Sequence, residues 1–283
     1  MAGAFYAGSQ EALVRQIEAA YRHPFGPGEL PVAKRNAPSR RIKGLVVPHA
    51  GYMYSGPIAA HAYSALHKDG FPGHLVILGP NHHGLGAPVA LCPEDHITPL
   101  GTVAYDAETG GRLVGGVIEE DAAAHREEHS IEVQLPFLQH LHPAVTFVPI
   151  AMSFQEWEVA KEVGESIAKV LKGKDAVVIA SSDFTHVGPN YGQMPPRGQS
   201  VSTFARNQDQ KALYHIERMD PKGFQDAVHE HNITMCGYGP VTAMLVAVKK
   251  LGGTEAALLK YASSAEVTSD KGIAVGYASV VVR

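Results

Sequence analysis

The chain has 283 residues and sets 24 Lys+Arg against 28 Asp+Glu, a net charge of −4. That length fits one large domain or two modest ones and can bury a core without disulfides. The acidic balance and scattered basic residues argue against a nucleic-acid surface, and no apolar run approaches the ~18 residues of a membrane span.

No secretory leader is visible, and the two cysteines, Cys92 and Cys236, lack CxxC spacing. Reduced thiols in a cytoplasmic protein are therefore expected. The 16 histidines are many beside 24 Lys+Arg, which points toward metal or proton-transfer chemistry.

In chain order, Ser9 reads as an N-cap for a helix reaching about Tyr21. Residues 23–41, with the basic pairs Lys34-Arg35 and Arg40-Arg41, read as a long solvated loop. A strand at 42–47 leads to the turn PHAGYMYSG, after which Pro57 is placed to start a helix at its first position. A second strand at 75–78 ends in PNHHG. Pro88, Pro93 and Pro99 then predict irregular structure or short edge strands. Residues 106–116 are ambiguous between helix and loop.

The amphipathic stretch 131–138 predicts a helix that Pro136 bends or restarts. A strand at 145–151, a helix at 156–171 and a strand at 176–180 follow, the last ending in SSDFTH. The Gly/Pro-rich stretch 188–200 is a surface loop or a mobile cover. Helices are expected at 203–217, at 221–231 and from Pro240 to Lys250, with strands at 258–262 and 273–282. Strands alternating with helices predict an α/β sheet packed on both faces, and nothing in the chain marks a linker, so one domain over 1–283 is expected.

Three apolar runs thus break off into polar, histidine-bearing turns. In open α/β sheets ligands sit just beyond the carboxyl ends of strands. Neighbouring strands would bring His49, His82, Asp183 and His186 to one edge. A metal needs three or four donors converging from different turns, and Cys236, in a glycine-flanked turn before a helix, is a third candidate whose thiolate the helix N-terminus would favour. Each of these also has an ordinary reading: a hydrogen-bonded histidine, or a small buried thiol. The DxxH spacing of Asp183 and His186 lets the carboxylate orient the imidazole for acid/base work, adds a fourth ligand, or simply caps the turn. Glu127-Glu128-His129-Ser130 supplies another carboxylate or imidazole, or merely helix N-terminal charge. His83 is a neighbour of His82 in the site or a surface residue, and spacing alone does not choose between the two imidazoles. No GxSxG elbow, Walker loop, HExxH or dinucleotide fingerprint occurs.

In order, PHAGYMYSG, ILGPNHHG, EEHSIEVQLPF, SSDFTH and MCGYGP resemble the Memo family, over nearly the whole chain from Gly3-Ala4-Phe5-Tyr6 to the strand of Tyr277. That family is similar in fold to the class III extradiol dioxygenases. The resemblance implies a mixed central β-sheet with helices on both faces and a metal site at one sheet edge. It implies His49, His82 and Cys236 as ligands, His186 as the acid/base with Asp183 beside it, and Phe5 and Tyr54 lining the pocket. The implied activity is a non-haem metal-dependent redox reaction of extradiol-dioxygenase type. The alternative is a non-catalytic module that binds metal and a peptide or partner. Fe(II) is the favoured ion, copper the second, zinc a further occupant. Microbial relatives imply pathway partners of radical-SAM and AMMECR type.

Overall fold

The computed structural model describes residues 1–32 and 40–283; the Lys34-Arg35 pair and part of the loop expected at 23–41 lie outside them. The first half runs α1 (Gln10–Arg22), β1 (Gly44–Val47), α2 (Tyr52–Asp69), β2 (His74–Pro80), β3 (Val89–Leu91), β4 (His96–Thr98), β5 (Gly101–Tyr105), α3 (Ala107–Gly111), β6 (Glu119–Glu120) and α4 (Leu135–Leu141). The second runs β7 (Thr146–Met152), α5 (Trp157–Leu171), β8 (Ala176–Ser181), β9 (His186–Val187), α6 (Val201–Glu217), α7 (Pro221–Glu230), α8 (Tyr238–Lys250), β10 (Ala256–Ser263), α9 (Ser264–Thr268) and β11 (Ala274–Val282).

The strands form a mixed sheet in the order β10-β11-β1-β8-β2-β7-β3-β6, flanked by helices on both faces. β1, β8, β2 and β7 pair in parallel, and β11 runs antiparallel to β1. Central parallel strands are buried on both sides, and their residues alternate between two cores. Val46, Val178, Ala180, Val76 and Leu78 pack toward the α5–α8 side, whereas Leu45, Val47, Val177, Ile179, Leu75 and Ile77 pack toward α1, α2 and α4. Such strands have no side-chain position left for polar chemistry, so polar groups collect where they end.

Three local expectations need correction. Pro57 does not start α2; the helix begins five residues earlier, at Tyr52. Tyr52 is buried, its hydroxyl donates to the Val133 carbonyl at 2.6 Å and its ring packs on Phe137, so tertiary contacts pull an extra turn into the helix. Likewise α8 begins at Tyr238, with Pro240 inside its first turn, where a missing N–H costs nothing. Arg40 is not solvated: its guanidinium donates to Asp175 Oδ1 at 2.7 Å and to the Ala176 carbonyl at 3.0 Å, fastening the chain entering β1 to the start of β8. In the ambiguous 106–116 stretch only Ala107–Gly111 is helical, capped by Asp106 Oδ1 accepting from Thr109 N at 3.0 Å. Pro136 does restart a helix, since a 3-10 turn at Glu132–Gln134 gives way to α4.

One buried carboxyl supports the strand end that matters most. Asp209 of α6 accepts from Thr185 N at 2.9 Å and from the Tyr261 hydroxyl at 2.7 Å, beneath the SSDFTH turn. Burial outweighs these hydrogen bonds and raises its carboxyl to about 6. A carboxyl raised above its unfolded value of about 3.9 contributes stability that is complete below that pH and is lost as pH rises through about 6. Relative to Asp209→Asn, the wild type is therefore expected to lose roughly 2 kcal/mol between pH 4 and 6.5, measured by chemical denaturation across that range.

Candidate metal centre

Because β1, β8 and β2 are adjacent and parallel, the turns at 48–51, 182–186 and 81–84 emerge side by side at one sheet edge. His49 and His82 meet there, with ring centroids 5.3 Å apart. The third imidazole is His129, whose ring lies 5.3 Å from His49 and 4.8 Å from His82. One nitrogen from each of the three falls within 4.8 Å of the other two. His129 arrives on the segment before the 3-10 turn, which tucks against β2 at Gly79. A Cβ there would lie 2.5 Å from Ser130 Oγ, so only glycine admits the segment.

Hydrogen bonds fix how His49 and His82 are presented, and stacking places His129. Ser181 Oγ donates to the Ser130 carbonyl at 2.5 Å, so it can only accept from Gln134 Nε2 at 2.8 Å and from His49 Nδ1 at 2.9 Å. His49 therefore carries its proton on Nδ1 and turns the Nε2 lone pair inward. Desolvation, then the neighbouring His129, His82 and His186, hold it well below the usual imidazole range, hence neutral. His82 Nδ1 donates to Glu128 Oε1 at 3.0 Å, leaving Nε2 free. Glu128 is buried but also accepts from His82 N at 2.6 Å and Ser130 N at 2.8 Å. Desolvation opposes its ionisation, yet the hydrogen bonds from His82 and Ser130 prevail and hold its carboxyl near 2. His129 stacks on Phe5 at 4.3 Å, and desolvation lowers its imidazole to about 4.

Cys236 lies in the turn before α8, its Sγ 3.2 Å from His49 Nε2 and 3.5 Å from the Asp183 carbonyl. The expectation of a thiolate favoured by the helix N-terminus needs correction: burial, then the nearby Asp183, push this thiol up, so it is protonated. Asp183 also does not orient His186. Its Oδ1 accepts from His49 N at 2.8 Å, joining the β8 turn to the β1 turn. The partner of His186 is Thr234, whose carbonyl accepts from Nδ1 at 2.9 Å, so Nε2 is left as the acceptor. The Thr234 hydroxyl also accepts from His186 N at 2.8 Å, and no sequence signal marks this residue, which lies 48 positions from its partner. His83 stands outside the three-imidazole group. Asp183, His186, Phe5 and Tyr54 line an adjoining cavity of about 390 Å³, with Tyr191 and Tyr277.

The donor set suits a divalent or soft monovalent cation. Nitrogens of a tetrahedral site with bonds of about 2.0–2.1 Å lie roughly 3.4 Å apart, so the imidazoles need only small rotations to close on an ion. His49 and His129 are held neutral by desolvation, and His82 is oriented by a carboxylate, as ligating histidines are. His49, His82 and His129 would hold the ion, with the Cys236 sulfur at its margin. Glu128→Gln is expected to weaken Zn(II) binding by about 10–100-fold while leaving the fold intact, measured by chelator competition alongside circular dichroism.

With this geometry in place, comparison with known proteins is informative. The family model described as "Memo-like protein" matches residues 1–281. A MEMO1 family protein of Methanothermobacter thermautotrophicus is 45% identical over 283 residues, covering 98% of this chain and 97% of its own. That of Methanopyrus kandleri is 44% identical, covering 100% of this chain and 97% of its own. Among solved structures, an uncharacterized protein from Escherichia coli K12 superposes with a TM-score of 0.54 at 14% identity, over 85% of this chain and 99% of that one, a likeness of fold alone. By its family model and its relatives, the chain belongs to the Memo family.

Proposed function

We propose that this chain is a non-haem metal-dependent redox enzyme of extradiol-dioxygenase type that acts on a small molecule in the cavity beside the three imidazoles. The observation that carries this reading is the convergence of inward-facing His49, His82 and His129 with a separately oriented His186 on the wall of that cavity. Fe(II) is the proposed ion, copper the second choice, zinc a further occupant; imidazole suits all three and sulfur favours the latter two. Bound there, Fe(II) would supply a Lewis-acidic centre capable of electron exchange, with open positions for substrate.

The chain's own residues do the rest. Ser181 and Glu128 hold the tautomers of His49 and His82, so these donors need only small rotations on binding. His186 Nε2 accepts a proton from a substrate hydroxyl and returns it later, while Thr234 keeps the ring in place. Phe5 and Tyr54 shape the wall and exclude water. Pathway partners of radical-SAM and AMMECR type and a cytoplasmic site of action belong to the same proposal.

Cys236 favours a second reading, a non-catalytic module that keeps the ion and holds a peptide or partner protein. Its sulfur sits beside His49, where a dioxygenase-like site would place a carboxylate. Anaerobic Fe(II) loading followed by oxygen-uptake assays separates the two. For the enzyme, His49→Ala is expected to abolish both metal binding and uptake. His186→Ala is expected to keep the metal and lower turnover by about 10²–10⁴-fold. Metal-loaded protein that binds a peptide ligand yet consumes no oxygen with any substrate offered would establish the module instead. Co(II) loading reports on the sulfur: a sulfur-to-metal charge-transfer band that is lost in Cys236→Ser at unchanged stoichiometry assigns the thiolate to the ion, and its absence in the wild type leaves the imidazoles as the ligands.

A further inference from the structure

We propose that the cavity beside the metal centre selects a small organic amine, with the ammonium group at Asp270, the apolar body among Tyr54, Tyr191 and Tyr277, and the far end toward the imidazoles. This rests on reading the cavity as the ligand site of the centre. Its volume, about 390 Å³, is that of a pocket for one small molecule.

The charge of the lining decides the class of ligand. Among the described residues, no lysine or arginine side chain lines the cavity, and its carboxylates are Asp183 and Asp270. Lys271, next in sequence to Asp270, is not part of the lining. A phosphorylated or carboxylated ligand would thus enter a space whose lining offers two carboxyl groups and, as basic side chains, only the imidazoles of His129 and His186, an arrangement that disfavours anions relative to cations.

The two carboxylates differ in availability. Asp183 is buried and committed to the His49 backbone N–H. Asp270 is exposed in the turn before β11, and its Oδ1 accepts from Gly272 N at 2.8 Å, which leaves Oδ2 for a ligand. Aromatic rings share the lining with them. Burial, then Asp183, keep the Tyr191 and Tyr277 phenols protonated, so these rings are neutral and present the electron-rich faces that attract ammonium groups.

Topology gives the ligand its direction. Along the sheet edge the order is β11, β1, β8, β2, so the Asp270 turn lies on one side of His49 and the His82 turn on the other. A molecule with its cation at Asp270 therefore points its remaining length past His49 toward the imidazoles.

Three probes matched in ring and chain length test this: 2-phenylethylamine, phenylacetate and 2-phenylethanol, titrated into full-length protein stripped of metal and followed by NMR. Removing the metal keeps phenylacetate from binding to it, and makes the result independent of whether the loaded protein is a redox enzyme. The amine is expected to bind about tenfold tighter than phenylacetate, with the alcohol between them. Asp270→Asn is expected to bring the amine to the level of the alcohol and leave the alcohol unchanged. Asp226→Asn, which removes the same formal charge outside the cavity, should leave the tenfold preference intact. No amine binding at millimolar concentration, equal or tighter binding of phenylacetate, or a preference that survives Asp270→Asn would each overturn the proposal.

Discussion

The Ser181 hydroxyl has one proton and three neighbours, and its hydrogen-bond geometry sets the terms for the whole centre. Once the proton goes to the Ser130 carbonyl, the oxygen must accept from both Gln134 and His49. The end of β8, the turn after β1 and the segment carrying His129 are thereby tied at a single atom. The same bond forces His49 to keep its proton on the outer nitrogen, so the inner one meets the Cys236 thiol as an acceptor. Buried polar groups in such a network are costly if any member is left unpaired, so it favours one arrangement over its alternatives.

What the sheet contributes is placement rather than chemistry. Its central strands are apolar on both faces, which leaves their carboxyl ends as the places where polar side chains can gather. Two close approaches then compress the gathering: Ser130 against Gly79, and the Cys236 turn against the end of β8. At Gly237 a Cβ would sit 2.6 Å from the Ser181 carbonyl oxygen, so a larger residue would push the thiol away from His49. The imidazoles are drawn from elements far apart in sequence and held at short range by packing, and only afterwards oriented by hydrogen bonds.

The distinction between local and non-local information explains what could be read in the sequence. Apolar runs ending in histidine-bearing turns are local signals, and they sufficed for strands β1, β2 and β8 and for the shared edge. His129 was visible only as an ambiguous block, because its place in the centre depends on Gly79 admitting the segment and on Glu128 gripping His82. Asp183 and His186, three residues apart, suggested a partnership that the fold divides between the His49 backbone and the Thr234 carbonyl. Pro57 signalled a helix start that the buried Tyr52 overrode. Asp209 carried no motif at all, since a buried carboxyl beneath a turn looks in sequence like any aspartate on a helix.

The position of Cys236 sharpens the choice between the two functional readings. A sulfur ligand must first lose its proton, and here burial and the neighbouring Asp183 both oppose that loss. An ion therefore recruits the sulfur only if its bond to thiolate offsets that cost. Copper(I) and zinc bind thiolate strongly, whereas Fe(II) is well served by imidazole alone. His49 and His129 are held neutral by burial and impose no such cost, so an ion of the second kind can sit on the imidazoles and leave the thiol protonated beside it. Which donors close on the ion, three nitrogens or a set including sulfur, thus follows from the ion's preference for sulfur set against one proton. That same choice separates a centre with open positions facing the cavity from one that retains its ion as a fixed part of a binding surface.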